Sequence, residues 1–321
     1  VFMLGATWIS VRGLHAASLV QYLLVGFQVL VLLWFTIAAL DKAAPAVQFS
    51  PEWFNPLGID SFSAMAVGLS LSIFAFWGWD VCLSMNEETK NGERTSGLAA
   101  GFTAVIVLAV YLLTSVSATV FAGVGDSGLG LANPENIGNV FAALAGPVMG
   151  PAAILLSLAT LASCAASLQS TMISPARSML AMGHHGALPP VFTRIHPKFG
   201  TPAFATIVAA VVSTAFYAMM RFVSTHVLND TILALGMMIC FYYGITAFAC
   251  VWFFRHTLLA SARNFFIRAV APLLGGLALV AVFLQTTVDS LDPEYGSGTH
   301  VAGMGLVFVV GVGILVLGAV F

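Results

Sequence analysis

Eight apolar stretches, at about 16–40, 61–85, 97–123, 147–174, 201–222, 229–254, 267–287 and 300–321, run through this chain of 321 residues. Nearly all of its charges fall between them or at their ends. A helix needs about 20 apolar residues to cross the hydrocarbon of a bilayer. Open strands are excluded there, because unpaired backbone groups in lipid are too costly. The pattern therefore predicts an all-α fold, a polytopic membrane helical bundle. Composition agrees, with 60% of residues apolar and only 7% charged, where a soluble domain carries about 25% charge to keep its surface in water. The outer surface must face lipid, and the bilayer is its first partner.

Eleven Lys and Arg against thirteen Asp and Glu give a formal net charge of −2. No basic field exists to hold nucleic acid, so none is expected as a partner. The distribution is more telling than the sum. If the end of the first span bearing Arg12 is cytoplasmic, then Lys90, Arg94, Arg177, Arg194, Lys198, Arg255, Arg263 and Arg268 share its side, and only Lys42 and Arg221 oppose it. That is the asymmetry of the positive-inside rule. Asp41, Glu52, Asp60, Asp126, Glu135, Asp230, Asp289, Asp292 and Glu294 then face outward. Residues 1–10 are apolar and uncharged, without the basic flank of a signal peptide. They are expected to end a helix arriving from outside, which makes 1–321 an N-terminally truncated piece of a single transmembrane domain.

Other features have plainer readings. Cys82, Cys164, Cys240 and Cys250 lie inside apolar runs without metal-like spacing, and are expected to pack rather than to bond. Neither they nor the seven scattered His residues suggest a metal site. Residues 134–145 carry Ile137, Val140, Phe141 and Leu144 at helical spacing, as a short helix lying on the outer surface would. The segment from Arg177 to Thr201 reads as a long inner loop. Gly125-Asp126-Ser127-Gly128 echoes a hydrolase loop but reads as a flexible turn, and Gly97 with Gly101 suggests close packing between helices of the bundle.

The segment Ile73-Phe74-Ala75-Phe76-Trp77-Gly78-Trp79-Asp80 is the unusual one. Glycine in a helix interior costs about 1 kcal/mol relative to alanine, and here it sits between two tryptophans. An ionisable Asp80 near the end of a span usually faces a cavity or a partner. One reading is a packing glycine with the acid reaching to the interface. The other is a discontinuous helix whose unwound backbone holds a polar ligand at mid-membrane.

Phe74-Ala75-Phe76-Trp77-Gly78-Trp79-Asp80 followed by Asn86-Glu87-Glu88-Thr89-Lys90-Asn91 resembles a pattern of the amino acid–polyamine–organocation permeases. Pro175-Ala176-Arg177 and Ala181-Met182-Gly183-His184-His185-Gly186-Ala187-Leu188-Pro189 resemble their inner-loop signature, with His196-Pro197, Thr201-Pro202 and, upstream, Ser10-Val11-Arg12-Gly13 continuing the likeness. The resemblance implies a five-plus-five inverted repeat followed by two helices, with these spans as helices 5 to 12 and helix 6 broken. It carries substrate-binding roles onto Phe74, Ala75, Phe76, Trp77 and Gly78, whose backbone would share the substrate's amino and carboxylate groups with an earlier helix. Gly183-His184-His185 departs from the Arg and Asp common at those positions, which puts the family's loop salt bridges in doubt.

The expected function is a secondary transporter for amino acids or related amines, working by alternating access in the plasma membrane. It would be no enzyme and need no organic cofactor, with H+ or Na+ as coupling ion. Gln28 stands where proton-coupled members can carry a lysine, and an amide cannot titrate. Protons would then fall to Asp80. Sodium would instead use hydroxyls of the fourth span, Ser163 foremost with Thr160 and Ser167, since hard cations prefer oxygen. The rival reading is a channel or non-transporting scaffold, although the polar rings a channel requires are missing from these spans.

Overall fold

A computed structural model describes residues 2–42, 47–86, 89–223 and 227–320. It is helical almost throughout. Among the described residues, six helices are long and apolar enough to cross a membrane: Ser18–Lys42, Arg94–Ala122, Val140–His184, Ala203–Phe222, Leu228–Phe253 and Ala262–Asp289. The chain divides into two compact units, Val1–Trp53 with Gly78–Phe216, and Phe54–Trp77 with Tyr217–Phe321.

The first unit contains α1 (Phe2–Val11), α2 (Leu14–Lys42), α4 (Val81–Ser84), α5 (Gly92–Ala122), α6 (Pro134–Ile137), α7 (Val140–Met149), α8 (Ala153–His184) and most of α9 (Ala203–Val223). Gly13, at φ +104°, makes the turn from α1 to α2, and Thr201 Oγ1 donates to the Val11 carbonyl at 2.7 Å to close it. α2 lies against α5, α7 and α8. Its Gln21 amide donates to the Ala166 carbonyl and to Ser170 Oγ, at 2.7 and 2.9 Å, on α8. Phe35, fully buried, meets Phe141 edge-on at 5.7 Å, in a core with Val31, Leu144, Val148 and Leu156.

Three expectations are corrected here. The helix over 134–145 is not laid on the surface: α7 runs on to Met149 and buries Leu144, Ala145 and Val148. Of the expected stripe, Leu144 is buried in the core, whereas Ile137, in the separate turn α6, stays 61% exposed. The inner loop does not begin at Arg177, because α8 continues as helix to His184 and holds that arginine 8% exposed. Pro175 lies inside α8, as membrane helices allow when neighbouring groups satisfy the freed backbone. The 125–128 turn is braced rather than loose. Asn133 and Asn136 both donate side-chain amides to the Gly128 carbonyl at 2.8 Å, and Leu131 and Ala132 amides donate to Gly123 and Gly125 carbonyls.

The second unit is built on α10 (Val227–Phe253), with α3 (Phe62–Phe76), α12 (Ala271–Asp289) and α13 (Leu306–Val320) packed around it, and α11 (Ala262–Phe265) leading through a π-helical turn into α12. Close approach depends on glycines: Gly236 faces Ser70 of α3, Gly276 faces Ala247 and Phe248, and Gly311 faces Met237. Gly97 and Gly101, by contrast, have nothing within 4 Å of where a Cβ would stand, so the expected packing role falls elsewhere. Cys240 is buried with Ala66 and Val282, whereas Cys164 is exposed. The stretch expected from 300 starts as a hairpin, His300–Val301 against Met304–Gly305, turned by Ala302 and Gly303 at φ +53° and +80°. Helix therefore begins only at Leu306, about 22 Å long at 1.5 Å per residue.

Hydroxyls within these helices mostly bond backward along their own chain. Thr7, Ser72, Thr160, Ser170, Thr214, Thr246 and Thr287 each donate to the carbonyl four residues earlier, at 2.7–3.0 Å.

Polar links gather at the end of α12 and along the segment joining it to α13, reaching α3 and α10. Asp289 accepts from Ser63 Oγ at 2.6 Å and from Gln285 Nε2 at 2.8 Å, and buried Asp230 accepts from the amide and hydroxyl of Ser297. Burial, then the Asp289 carboxylate, pushes the Tyr295 phenol above its ordinary value. The folded state thus holds this proton more tightly than the unfolded chain. Its contribution is complete below about pH 10 and is lost as pH rises through the folded value. Tyr295→Phe is expected to flatten the alkaline fall of melting temperature in detergent. An identical alkaline slope in both proteins would remove Tyr295 from the account.

Candidate functional site

α3 opens with Ser61 as N-cap, its hydroxyl accepting from the Ala64 amide at 3.1 Å, and ends at Phe76. Trp77 turns extended, at φ −64° and ψ 139°, and its amide reaches only the Phe74 carbonyl, at 3.0 Å. Gly78 follows at φ +110°, a conformation that a residue with a Cβ rarely adopts. Hydrogen bonding resumes with the Val81 amide on the Gly78 carbonyl, and α4 runs for one turn. The i→i−4 ladder is interrupted over residues 77–80, a little later than the expected 74–78, because Phe74 to Phe76 are still helical.

Phe74, Ala75 and Phe76 thus form the last turn of α3, and Trp77 and Gly78 form the break. The Phe74 and Trp77 rings lie tilted with centroids 6.5 Å apart, and Trp77 is 41% exposed. A Cβ on Gly78 would meet nothing within 4 Å, so what demands glycine there is the backbone angle and not space. Asp80 stands at the N-cap of α4 without a side-chain capping bond. Glu87 and Glu88 lie outside the described residues.

A second locus lies wholly in the first unit. A cavity of about 500 Å³ is walled by α2, α5 and α8, with Phe141 of α7. Such a volume suits a small-molecule ligand. Gln28 of α2 and Ser163 of α8, singled out separately in the sequence, both line it, together with Thr160 and Ser167. The Gln28 Oε1 atom is buried without a hydrogen-bond partner, and among the described residues Ser163 makes no hydrogen bond. Thr160 is already bonded to the Leu156 carbonyl at 3.0 Å. Among the described residues no Asp, Glu, Lys, Arg or His lines the cavity, and Asp80 is not part of it. The wall offers hydroxyl and amide groups in an apolar setting, suited to a neutral or zwitterionic guest or to a cation that takes oxygen ligands.

Sequence reasoning missed Thr103 and Tyr111 of α5, which line the same cavity. The available signal was their helical register, with Thr103, Val107 and Tyr111 at successive four-residue spacings on one face of the helix.

Residues 1–316 match a family model described as amino acid permease. Over 243 residues, 74% of the chain, it is 24% identical to a protein named cationic amino acid transporter 2, vacuolar, of Arabidopsis thaliana. It is 26% identical over 214 residues, 64% of the chain, to the branched-chain amino acid permease BcaP of Bacillus subtilis (strain 168). A third relative, cationic amino acid transporter 4, vacuolar, of Arabidopsis thaliana, is 28% identical over 165 residues, 51% of the chain. The matches cover 36%, 42% and 26% of those relatives, so the chain spans less than half the length of each.

Proposed function

Because the chain belongs to the amino acid permease family, an integral, multi-pass membrane fold, we propose that it works within a secondary transporter of amino acids or related amines by alternating access. The observation that carries this reading is the break in α3. Backbone amides and carbonyls released from a helix at membrane depth are a polar ligand's natural partners, because lipid cannot satisfy them. In this reading Phe74 to Gly78 bind the substrate's amino and carboxylate groups through the main chain, and the exposed Trp77 ring limits its side chain. The membrane is the plasma membrane, although two relatives carry vacuolar names.

Coupling has one proposed seat for each ion. Asp80, half-buried beside the break, is the proton-coupling candidate. Gln28 and Ser163, facing one uncharged cavity with free oxygen atoms, are the sodium candidates. The test is uptake of a labelled amino acid by the full-length protein in proteoliposomes, with sodium and pH gradients imposed separately. Proton coupling predicts pH-driven uptake that Asp80→Asn abolishes and Ser163→Ala spares. Sodium coupling predicts the reverse, with at least about a tenfold loss in Ser163→Ala for one ligand oxygen removed. Flux that never saturates with substrate would overturn the carrier itself.

A further inference from the structure

Between Asp230 and Asp289 the chain has no acidic residue, yet it has Arg255, Arg263 and Arg268, all at the turn joining α10 to α12. Two of these guanidiniums have neutral company. Arg255 lies over the Trp252 ring at 4.5 Å and donates to the Trp252 carbonyl at 2.9 Å. Arg268 lies over the Phe254 ring at 4.4 Å and donates to Thr257 Oγ1 at 3.0 Å. Stacking on an aromatic face orients a guanidinium without neutralising it, and leaves in-plane N–H donors for a planar or tetrahedral oxyanion. Ser261 caps α11 at the Asn264 amide, and the Asn264 side chain reaches the Thr257 carbonyl at 3.4 Å, so the turn that carries the arginines is tied to itself. Beside these cations stand exposed apolar side chains: Leu259 is 88% exposed, Phe253 75% and Phe266 61%.

Paired donors next to bare aromatic and aliphatic groups match one ligand chemistry, a phosphodiester with acyl chains attached. We propose that this turn is a binding site for anionic phospholipid, with Arg255 and Arg268 on the headgroup phosphate, Arg263 adding charge, and Phe253, Leu259 and Phe266 among the acyl chains. A free phosphate would use the arginines but would leave the apolar residues in water, which is why the lipid is the committed source. This inference does not depend on the transported substrate.

The test uses the full-length protein in nanodiscs of phosphatidylcholine and phosphatidylglycerol, with quenching bromines on the chains of one lipid or the other. The Trp252 signal is taken as the difference between wild type and Trp252→Phe. Bromine on the anionic lipid is expected to quench it more strongly, reflecting about fivefold enrichment per arginine near an anionic surface. The triple variant Arg255→Gln, Arg263→Gln, Arg268→Gln should lose that preference, and the matching lysine variant, which keeps the charge but not the stacked fork, should retain only part of it. Equal quenching by the two lipids in the wild type would overturn the proposal, as would a preference that survives in the glutamine variant or is undiminished in the lysine one. Loss of the preference on adding excess inorganic phosphate would also overturn it, by making the turn a site for the free ion.

Discussion

Gly78→Val is expected to reduce amino acid uptake by the full-length protein at least about tenfold while leaving its abundance in the membrane close to wild type. The argument rests on one angle. Gly78 sits at φ +110°, where a β-branched residue is a genuine outlier, and holding one there costs on the order of 1–3 kcal/mol. A tenfold shift in a conformational equilibrium needs about 1.4 kcal/mol, so the strain alone is enough to depopulate the broken form. No clash contributes, since the space around the position is open. Gly78→Ala should fall between wild type and valine. Gly68→Ala, in the body of the same helix with equally open surroundings, is the control and should preserve transport, because alanine favours a helix by about 1 kcal/mol. Wild-type uptake in the valine variant would mean that the break is dispensable.

The second large effect is on stability. Gly236→Val should lower the melting temperature of the purified protein by roughly 10 °C, or prevent its accumulation. A Cβ at 236 would fall against Ser70 Oγ and within 2.6 Å of the Ser70 carbonyl oxygen. A hydroxyl can rotate away, but a carbonyl in the middle of α3 cannot. The strain therefore passes to the seam between α3 and α10, and then to α13, whose Gly311 packs on the neighbouring Met237. Alanine at Gly97 or Gly101, where nothing stands near, should change melting little. An unshifted melting curve for Gly236→Val, followed by intrinsic fluorescence in detergent, would show that the seam gives way without cost.

These two glycines illustrate what could be read in advance. Gly78 was legible because a helix breaker between bulky aromatics conflicts with its local surroundings, and the family resemblance gave that conflict a meaning. Gly236 was not, because close approach is a property of two helices and only one of them carries the glycine. The pair with motif-like spacing, Gly97 and Gly101, faces open space instead. Arg177 reads as the start of a loop because the apolar run ends near 174 and Gly and Pro residues follow. Its burial in α8 depends on neighbours that the local sequence does not name. The meeting of Gln28 with Ser163 was hidden for the same reason: each stood out on its own helix, but only tertiary packing puts them in one cavity.

The back-bonded hydroxyls change how mutational scans of this protein should be weighed. A threonine already committed to the carbonyl a turn below it has little left to offer a ligand, and its replacement by valine keeps the shape while removing a bond that the helix does not require. Substitutions at Thr214 or Thr246 should therefore be silent, however polar the formula looks, whereas Thr287 also reaches Met237 Sδ of α10 at 3.4 Å. Vacancy of the oxygen, more than the presence of a hydroxyl, distinguishes a recruitable side chain from an inert one, and on that measure Ser163 differs from Thr160 only one turn away.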